Sequence, residues 1–195
     1  MSAATGMAQA DRLRWDARYR AGGAEQHEPS PFLVAIADLL PGAGAGRPPT
    51  ALDVAGGAGR NAVFLARRGF VVTVADISPA GLALARAAAA GLSVRCLEMD
   101  LEVAPLPPGP FDLVLTIDFL HRPLFAAFPG VLAPGGLLVV AHPTRANLAR
   151  HPHPSARFLL DEGELPELVH GLAVVRYEEA WFDDRHQARL VARKA

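Results

Sequence analysis

At 195 residues, with 51% hydrophobic and 20% charged side chains, the chain is sized for one domain with a full core. A formal net charge of −1 and a pI near 6.7 give no electrostatic footing for nucleic acid or a membrane surface. Cys96 is the only cysteine, which excludes an internal disulfide and any multi-cysteine metal site. Met1 to Ala10 has no charged start leading into an apolar core, and no apolar run reaches the length of a membrane span. The expectation is a soluble, cytoplasmic, single-domain protein.

Residues 11–20, DRLRWDARYR, pattern as a short amphipathic helix with Leu13, Trp15 and Tyr19 among four arginines. Aromatics interleaved with arginines also suit a nucleic-acid patch, but nothing else in the chain is basic, so a solvated helix laid over the domain is the better reading. Gly22-Gly23 and a polar loop lead to Ser30-Pro31, a helix start, and Phe32 to Leu40 read as an apolar helix covering a sheet edge. Residues 41–49, rich in glycine and proline, form a surface link.

The stretch Thr50 to Asp76 carries the densest signal. Ala51 to Val54 is a short buried strand broken only by Asp53. Ala55-Gly56-Gly57-Ala58-Gly59 must bend sharply and approach something closely. Ala62, Val63, Leu65 and Ala66 recur at helical spacing up to Gly69, and Phe70 to Ala75 is a second strand ending on Asp76. Strand, glycine turn, helix, strand and terminal carboxylate make one βαβ unit for an adenosine-type ligand. Gly57 to Ala62 also fits the dinucleotide fingerprint G-x-G-x-x-A, with Asp76 seventeen residues past Gly59. Asp53 argues against a diphosphate: a carboxylate at the end of the first strand repels phosphates and suits an ammonium group or loop amides.

Beyond Asp76 the alternation continues. Ser78-Pro79 starts a helix over Ala80 to Ala90, and Ser93 to Met99 is a third strand with Asp100 at its end. Phe111 to Ile117 is a fourth strand, from which Asp118 to Pro123 departs, and Leu124 to Phe128 is a short helix. Pro134-Gly135-Gly136 turns into a fifth strand, Leu137 to His142. Asp161 caps a helix over Leu165 to Val169, and Ala173 to Tyr177 and Ala188 to Ala192 are two terminal strands. Carboxylates therefore fall at the ends of strands one to three and just beyond the fourth, where open α/β sheets bind ligands.

Asp53-Val54-Ala55-Gly56-Gly57-Ala58-Gly59 resembles the D/E-x-G-x-G-x-G loop of class I methyltransferases that use S-adenosylmethionine, with Ala55 in place of the first glycine. Asp100-Leu101 is similar to that family's adenine-binding acid, and Leu132 to Leu137 to its proline-glycine turn before strand five. The resemblance implies a Rossmann-like doubly wound α/β sheet of seven strands, order 3-2-1-4-5-7-6, the last strand antiparallel. It implies S-adenosylmethionine as cofactor: Asp53, Gly57 and Gly59 around the methionine end, Asp76 on the ribose, Asp100 with Leu101 around adenine, and Tyr19, Asn61, Ile77 and Ile117 completing the contacts. Residues 50–195 would be the methyltransferase domain and 1–49 a helical cap or lid.

A narrower resemblance lies in Trp15-Asp16-Ala17-Arg18-Tyr19, in Phe119 to Leu124 and in Arg157 to Leu165, which are similar to tellurite-resistance (TehB-like) and thiopurine-type small-molecule methyltransferases. It implies a small acceptor: a thiol, a phenol or a chalcogen oxyanion, with no nucleic acid or membrane partner. No Asn-Pro-Pro-Tyr or Asp-Pro-Pro-Tyr follows strand four, so the arrangement for planar amines is absent. His121 is the base candidate beside the methyl position, with Asp118 next to it; each could equally brace its loop. His142, His151 and His153 with Arg145 and Arg150 form a second cluster. It reads as a solvated loop rather than a metal site, since prolines flank His151-x-His153 and no carboxylate or cysteine is near in sequence; as a cationic loop at the site mouth it could attract an anion. The opposing reading of the whole chain is a degenerate fold that binds cofactor or partner without turnover.

Overall fold

The structure is a computed structural model and describes residues 3–22, 28–42 and 46–195, with backbone only for residues 3–8. Gly23 of the expected glycine pair, most of the polar loop after it and the middle of the 41–49 link lie outside the described residues. The elements are α1 (Ala3–Arg20), α2 (Pro31–Ala35), β1 (Thr50–Val54), α3 (Arg60–Arg67), β2 (Val71–Asp76), α4 (Pro79–Ala88), β3 (Val94–Glu98), β4 (Phe111–Ile117), α5 (Phe128–Val131), β5 (Leu132–Pro143), α6 (Glu164–Leu168), β6 (Ala173–Phe182) and β7 (Arg185–Arg193).

All seven strands form one sheet in the order β3-β2-β1-β4-β5-β7-β6. β1 to β5 pair in parallel, and β7 runs antiparallel to both β5 and β6, as the expected order requires. The buried strands are nearly continuous apolar runs because both faces are covered. On one face Phe32, Leu33, Ile36, Ala62, Leu65 and Leu82 pack on Val72, Val74, Leu113 and Leu115. On the other, Leu124, Phe125, Phe128, Leu160 and Leu165 pack on Leu52, Val54, Val114 and Val140. β1 lies between β2 and β4, so Asp53 is opposite Val74 and Leu115. That register puts a carboxylate in the middle of the sheet at its carboxyl edge.

The chain departs from its sequence pattern in five places. The helix expected over Phe32 to Leu40 ends at Ala35 and gives way to a 3-10 turn, Ala37–Leu39. Pro41 holds Leu40 extended at ψ 146°, and Phe32, Leu33 and Ile36 anchor the short helix in the core. The turn at Pro134-Gly135-Gly136 is absorbed into β5 as an irregularity, with Gly135 at φ 74° and its N–H on the Lys194 carbonyl. β6 and β7 each run well past the segments read from sequence. Asp161 does not cap α6; the Glu164 carboxylate reaches back to the Asp161 N–H at 2.8 Å. The Leu124 to Phe128 helix is split between a 3-10 helix, Arg122–Ala126, and α5.

Candidate functional site

The loop between β1 and α3 is shaped by what surrounds it. Ala55 stands at φ 55°, Gly57 at φ 53° and Gly59 at φ 79°. A β-carbon on Gly59 would meet that of Ala85 at 2.9 Å, so this glycine lets α3 pack against α4. A β-carbon on Gly56 would meet the Asp53 carboxylate at 2.7 Å, and one on Gly57 would lie 1.9 Å from the Tyr19 hydroxyl. The loop is thus clasped from below by Asp53 and from above by Tyr19.

Asp53 is 1% exposed, and its Oδ2 has no hydrogen-bond partner among the described residues. Burial pushes its carboxyl up to about 7, with the Asp76 charge adding to the rise and Arg60 and the Ala62 N–H opposing it. A buried carboxylate oxygen without a donor is costly, and an ammonium group or N–H at the loop would satisfy it. Asp76 closes β2: its Oδ2 accepts the Gly57 N–H and its Oδ1 the Ser78 N–H, both at 2.8 Å. Burial raises its pKa although these amides favour the charge. With the Ile77 N–H as a third backbone donor, one of the carboxylate's four acceptor sites is left, enough for a ribose hydroxyl. This donor and acceptor set fits an adenosine cofactor carrying an ammonium group, and it does not fit a diphosphate.

Around these two carboxylates lie the other expected residues. Asp100 follows β3, its Oδ1 accepting the Glu102 N–H at 2.9 Å, with Leu101 buried behind it. Ile77 is half-buried and Ile117 is buried at the end of β4. Asn61 has an anchoring role: its amide oxygen accepts the Ser30 N–H at 2.9 Å, tying the segment before α2 to α3.

α1 crosses the same edge. Tyr19 is pressed against Gly57 and Gly81, and burial, reinforced by Asp76, lifts its hydroxyl to about 12. Trp15 lies 6.1 Å from the Tyr19 ring. Leu13, expected on the apolar side, is 60% exposed. Asp16 is the residue that sequence reasoning missed. Only 4% exposed, it accepts the Ser78 hydroxyl and the Ala80 N–H at the start of α4. Its acidic type opposite a Ser-Pro helix start was the available signal.

The neighbouring part of the same edge is organised by Asp118, which follows β4 with φ 63°. It pairs with Arg60 of α3 at 3.2 Å and with Arg185 of β7 at 2.8 Å, and so links the glycine loop to the terminal hairpin. His121, three residues on, is half-buried and makes no side-chain capping bond. Arg122 is bound to Glu164 and to the Leu159 carbonyl. The expected histidine cluster is divided: His142 is buried at the end of β5, whereas His151 binds the Asp184 carbonyl at 2.8 Å and His153 is exposed. Among the described residues no three such side chains are grouped as metal ligands. A cleft of about 370 Å³ beside Pro143, Asn147, His151, His153 and Arg185 opens here.

Residues 51–136 match the methyltransferase domain family. A demethylmenaquinone methyltransferase of Thermus thermophilus is 46% identical over 104 residues, 48% of this chain and 46% of that protein. The chain spans about half the length of that curated relative. Among solved structures, TehB of Haemophilus influenzae superposes with a TM-score of 0.68 at 19% identity, over 84% of this chain and 61% of that one. A TehB-like methyltransferase of Corynebacterium glutamicum gives 0.64 at 19% identity, over 98% of this chain and all of that one. Those two likenesses concern the fold. Sheet order, loop geometry and the match over residues 51–136 agree: the chain carries a methyltransferase domain on a Rossmann-like fold.

Proposed function

We propose that the protein transfers a methyl group from S-adenosylmethionine to a small-molecule acceptor, a thiol, phenol or chalcogen oxyanion. The observation that carries this reading is the pair of buried carboxylates at the glycine loop, Asp53 with one oxygen lacking a donor and Asp76 with acceptor capacity left beyond its backbone amides. Asp53, Gly57 and Gly59 would hold the methionine end, Asp76 the ribose, and Asp100 with Leu101 the adenine. Ile77 and Ile117 would line the same cleft, and Tyr19 would lie over it. The bound cofactor supplies a sulfonium-activated methyl group, so the chain's task is alignment, which can contribute on the order of 7 kcal/mol or more.

In this reading residues 1–49 act as a cap on the domain formed by residues 50–195. The partner is a small molecule rather than nucleic acid or membrane, since the net charge is −1. Action in the cytoplasm is part of the proposal; no helix among the described residues is long and apolar enough to cross a membrane. A second reading, cofactor or partner binding without turnover, is favoured by one observation: Ala55 occupies a left-handed position that suits glycine. Release of S-adenosylhomocysteine in the presence of thiols, phenols, selenite, tellurite and demethylmenaquinone separates the two. The last belongs in the panel because of the relative's name. Turnover of one acceptor is expected. Tight cofactor binding with no turnover of any would favour the second reading, and no binding at all would overturn both.

A further inference from the structure

His142 has an arrangement that the reaction above has not used. It is the first β5 residue beyond the end of β4, whose last pair is Ile117 with Ala141, and the Asp118 N–H bonds the Ala141 carbonyl at 2.9 Å. The ring therefore sits at the carboxyl edge of the sheet, one strand over from the loop that carries Asp118 and His121. It is 5% exposed. Its Nε2 lies 2.7 Å from the Phe158 carbonyl oxygen. A carbonyl only accepts, so Nε2 carries the hydrogen and donates it. The segment holding that carbonyl is itself fixed, because Leu160 exchanges backbone hydrogen bonds with Pro143 and Arg145. In a neutral ring with Nε2 protonated, Nδ1 is a bare lone pair, and here it is buried with no partner among the described residues. A buried acceptor left unpaired costs stability unless something donates to it.

We propose that His142 Nδ1 is the proton acceptor in methyl transfer, and that the acceptor class it serves arrives protonated: a hydroxyl or phenol rather than a free thiolate. The proposal rests on the methyltransferase reading. As the acceptor's heteroatom forms its bond to the methyl carbon, the sulfur–methyl bond breaks and its electron pair stays on sulfur, which becomes a neutral thioether. The heteroatom's hydrogen passes as a proton to Nδ1, giving an imidazolium that keeps its Nε2–H bond to Phe158. The proton returns to solvent after the product leaves. Burial holds this ring's pKa below 6.5, so the base form is present at neutral pH. The charged groups facing it are Asp118, which favours the imidazolium, and Arg185 and Arg122, which oppose it. His121 makes no side-chain capping bond among the described residues that would fix its tautomer.

The test pairs a variant with two probes. In His142→Gln the side-chain amide N–H can still reach the Phe158 carbonyl, but no basic nitrogen remains. With 4-chlorophenol, which is protonated at neutral pH, kcat should fall about 100-fold or more, the usual scale for loss of a general base. With 4-nitrothiophenol, which arrives ionised, kcat should change less than about threefold, and calorimetric affinity for S-adenosylhomocysteine should be unchanged. Equal losses with both probes would make His142 a packing residue and overturn the proposal, as would retention of the phenol rate or wild-type turnover of the thiol alone. Failure of the wild-type protein to bind S-adenosylmethionine would instead overturn the methyltransferase reading. A second measurement needs no turnover: nitrogen-15 NMR of the wild-type ring at neutral pH should show a bare Nδ1 and a protonated Nε2. The opposite tautomer, or a cationic ring, would overturn the proposal.

Discussion

Asp16 and Ser78 face each other across the site: the Asp16 carboxylate accepts the Ser78 hydroxyl proton while the Ser78 oxygen accepts the Gly81 N–H as the cap of α4. One serine thus serves both the start of α4 and the docking of α1. The Ser78 bond, with the Ala80 N–H and the arginines Arg20 and Arg12, holds the Asp16 carboxyl below its ordinary value. α1 rests on this tie, on the Arg12–Glu98 pair and on the Tyr19 ring.

The first prediction is that α1 is a lid. Its docking is mainly polar, Leu13 is exposed, and Arg12, Arg14, Arg18 and Arg20 all face solvent. Few apolar groups are buried among its described side chains, so opening should cost little. Trypsin should cut at these arginines in the free protein and be blocked by S-adenosylhomocysteine, while Asp16→Ala should speed cutting in both states. Deleting residues 1–23 should leave a folded domain with methyl transfer reduced at least about tenfold, the scale of a lost water-excluding lid. Equal cutting with and without ligand, or full activity after deletion, contradicts the idea.

The second prediction concerns Asp76 as the proposed ribose ligand. Asp76→Ala should weaken S-adenosylmethionine binding by about 1.5–3 kcal/mol, because a charge-assisted hydrogen bond to the ribose is lost. The same change releases the Gly57 N–H, so the melting temperature should fall as well. Titration calorimetry decides it: unchanged affinity, or tighter binding of NAD than of S-adenosylmethionine, would sink the assignment.

The strands and the carboxylates at the sheet edge were legible because they follow from local signals, whereas the order of the sheet came from the family resemblance. Short apolar runs between glycine turns gave the strands; an acid inside the first run gave Asp53, and acids at or just past the ends of the others gave Asp76, Asp100 and Asp118. What was not legible depends on pairing over long separations. Asp118 meets Arg60 and Arg185 only because β1, β4, β5 and β7 lie side by side. His142 sits in a run of prolines, arginines and histidines that reads as solvated, yet its place in β5 buries it beneath the Phe158 segment. Asp16 looked like one more charge on a polar helix until α4 was set against it.

A third prediction addresses Ala55. An L-residue in the left-handed region is strained by about 1–2 kcal/mol, whereas glycine there gives back part of that by its freer unfolded chain, about 0.4–1 kcal/mol. Ala55→Gly should therefore raise stability by about 0.5–1 kcal/mol in chemical denaturation, since Ala55 is at φ 55°. Ala55→Val should lower it, a β-branched side chain being worse there. A destabilised glycine variant would show that the Ala55 methyl group packs usefully against the core it borders.

The last prediction follows from Asp53. In the free protein its carboxyl is raised from 3.8 to about 7, chiefly by burial, so the folded chain holds a proton that the unfolded chain releases above 3.8. For such a group the stabilising contribution is complete below the unfolded value and is lost as pH climbs through about 7. The free protein should thus lose stability between those limits. A bound ammonium group reverses the preference, because it favours the ionised carboxylate. Cofactor binding below neutrality must then expel a proton, and affinity should rise with pH by up to about tenfold per unit, levelling off above about 7. Asp76, also raised by burial, titrates in the same loop, so the variant Asp53→Asn is needed to separate them. That variant should bind more weakly, with a flatter pH dependence and a smaller proton release when calorimetry is repeated in buffers of different ionisation enthalpy. If wild-type protein releases no proton at pH 6, or the variant releases as many, Asp53 does not face the ammonium group.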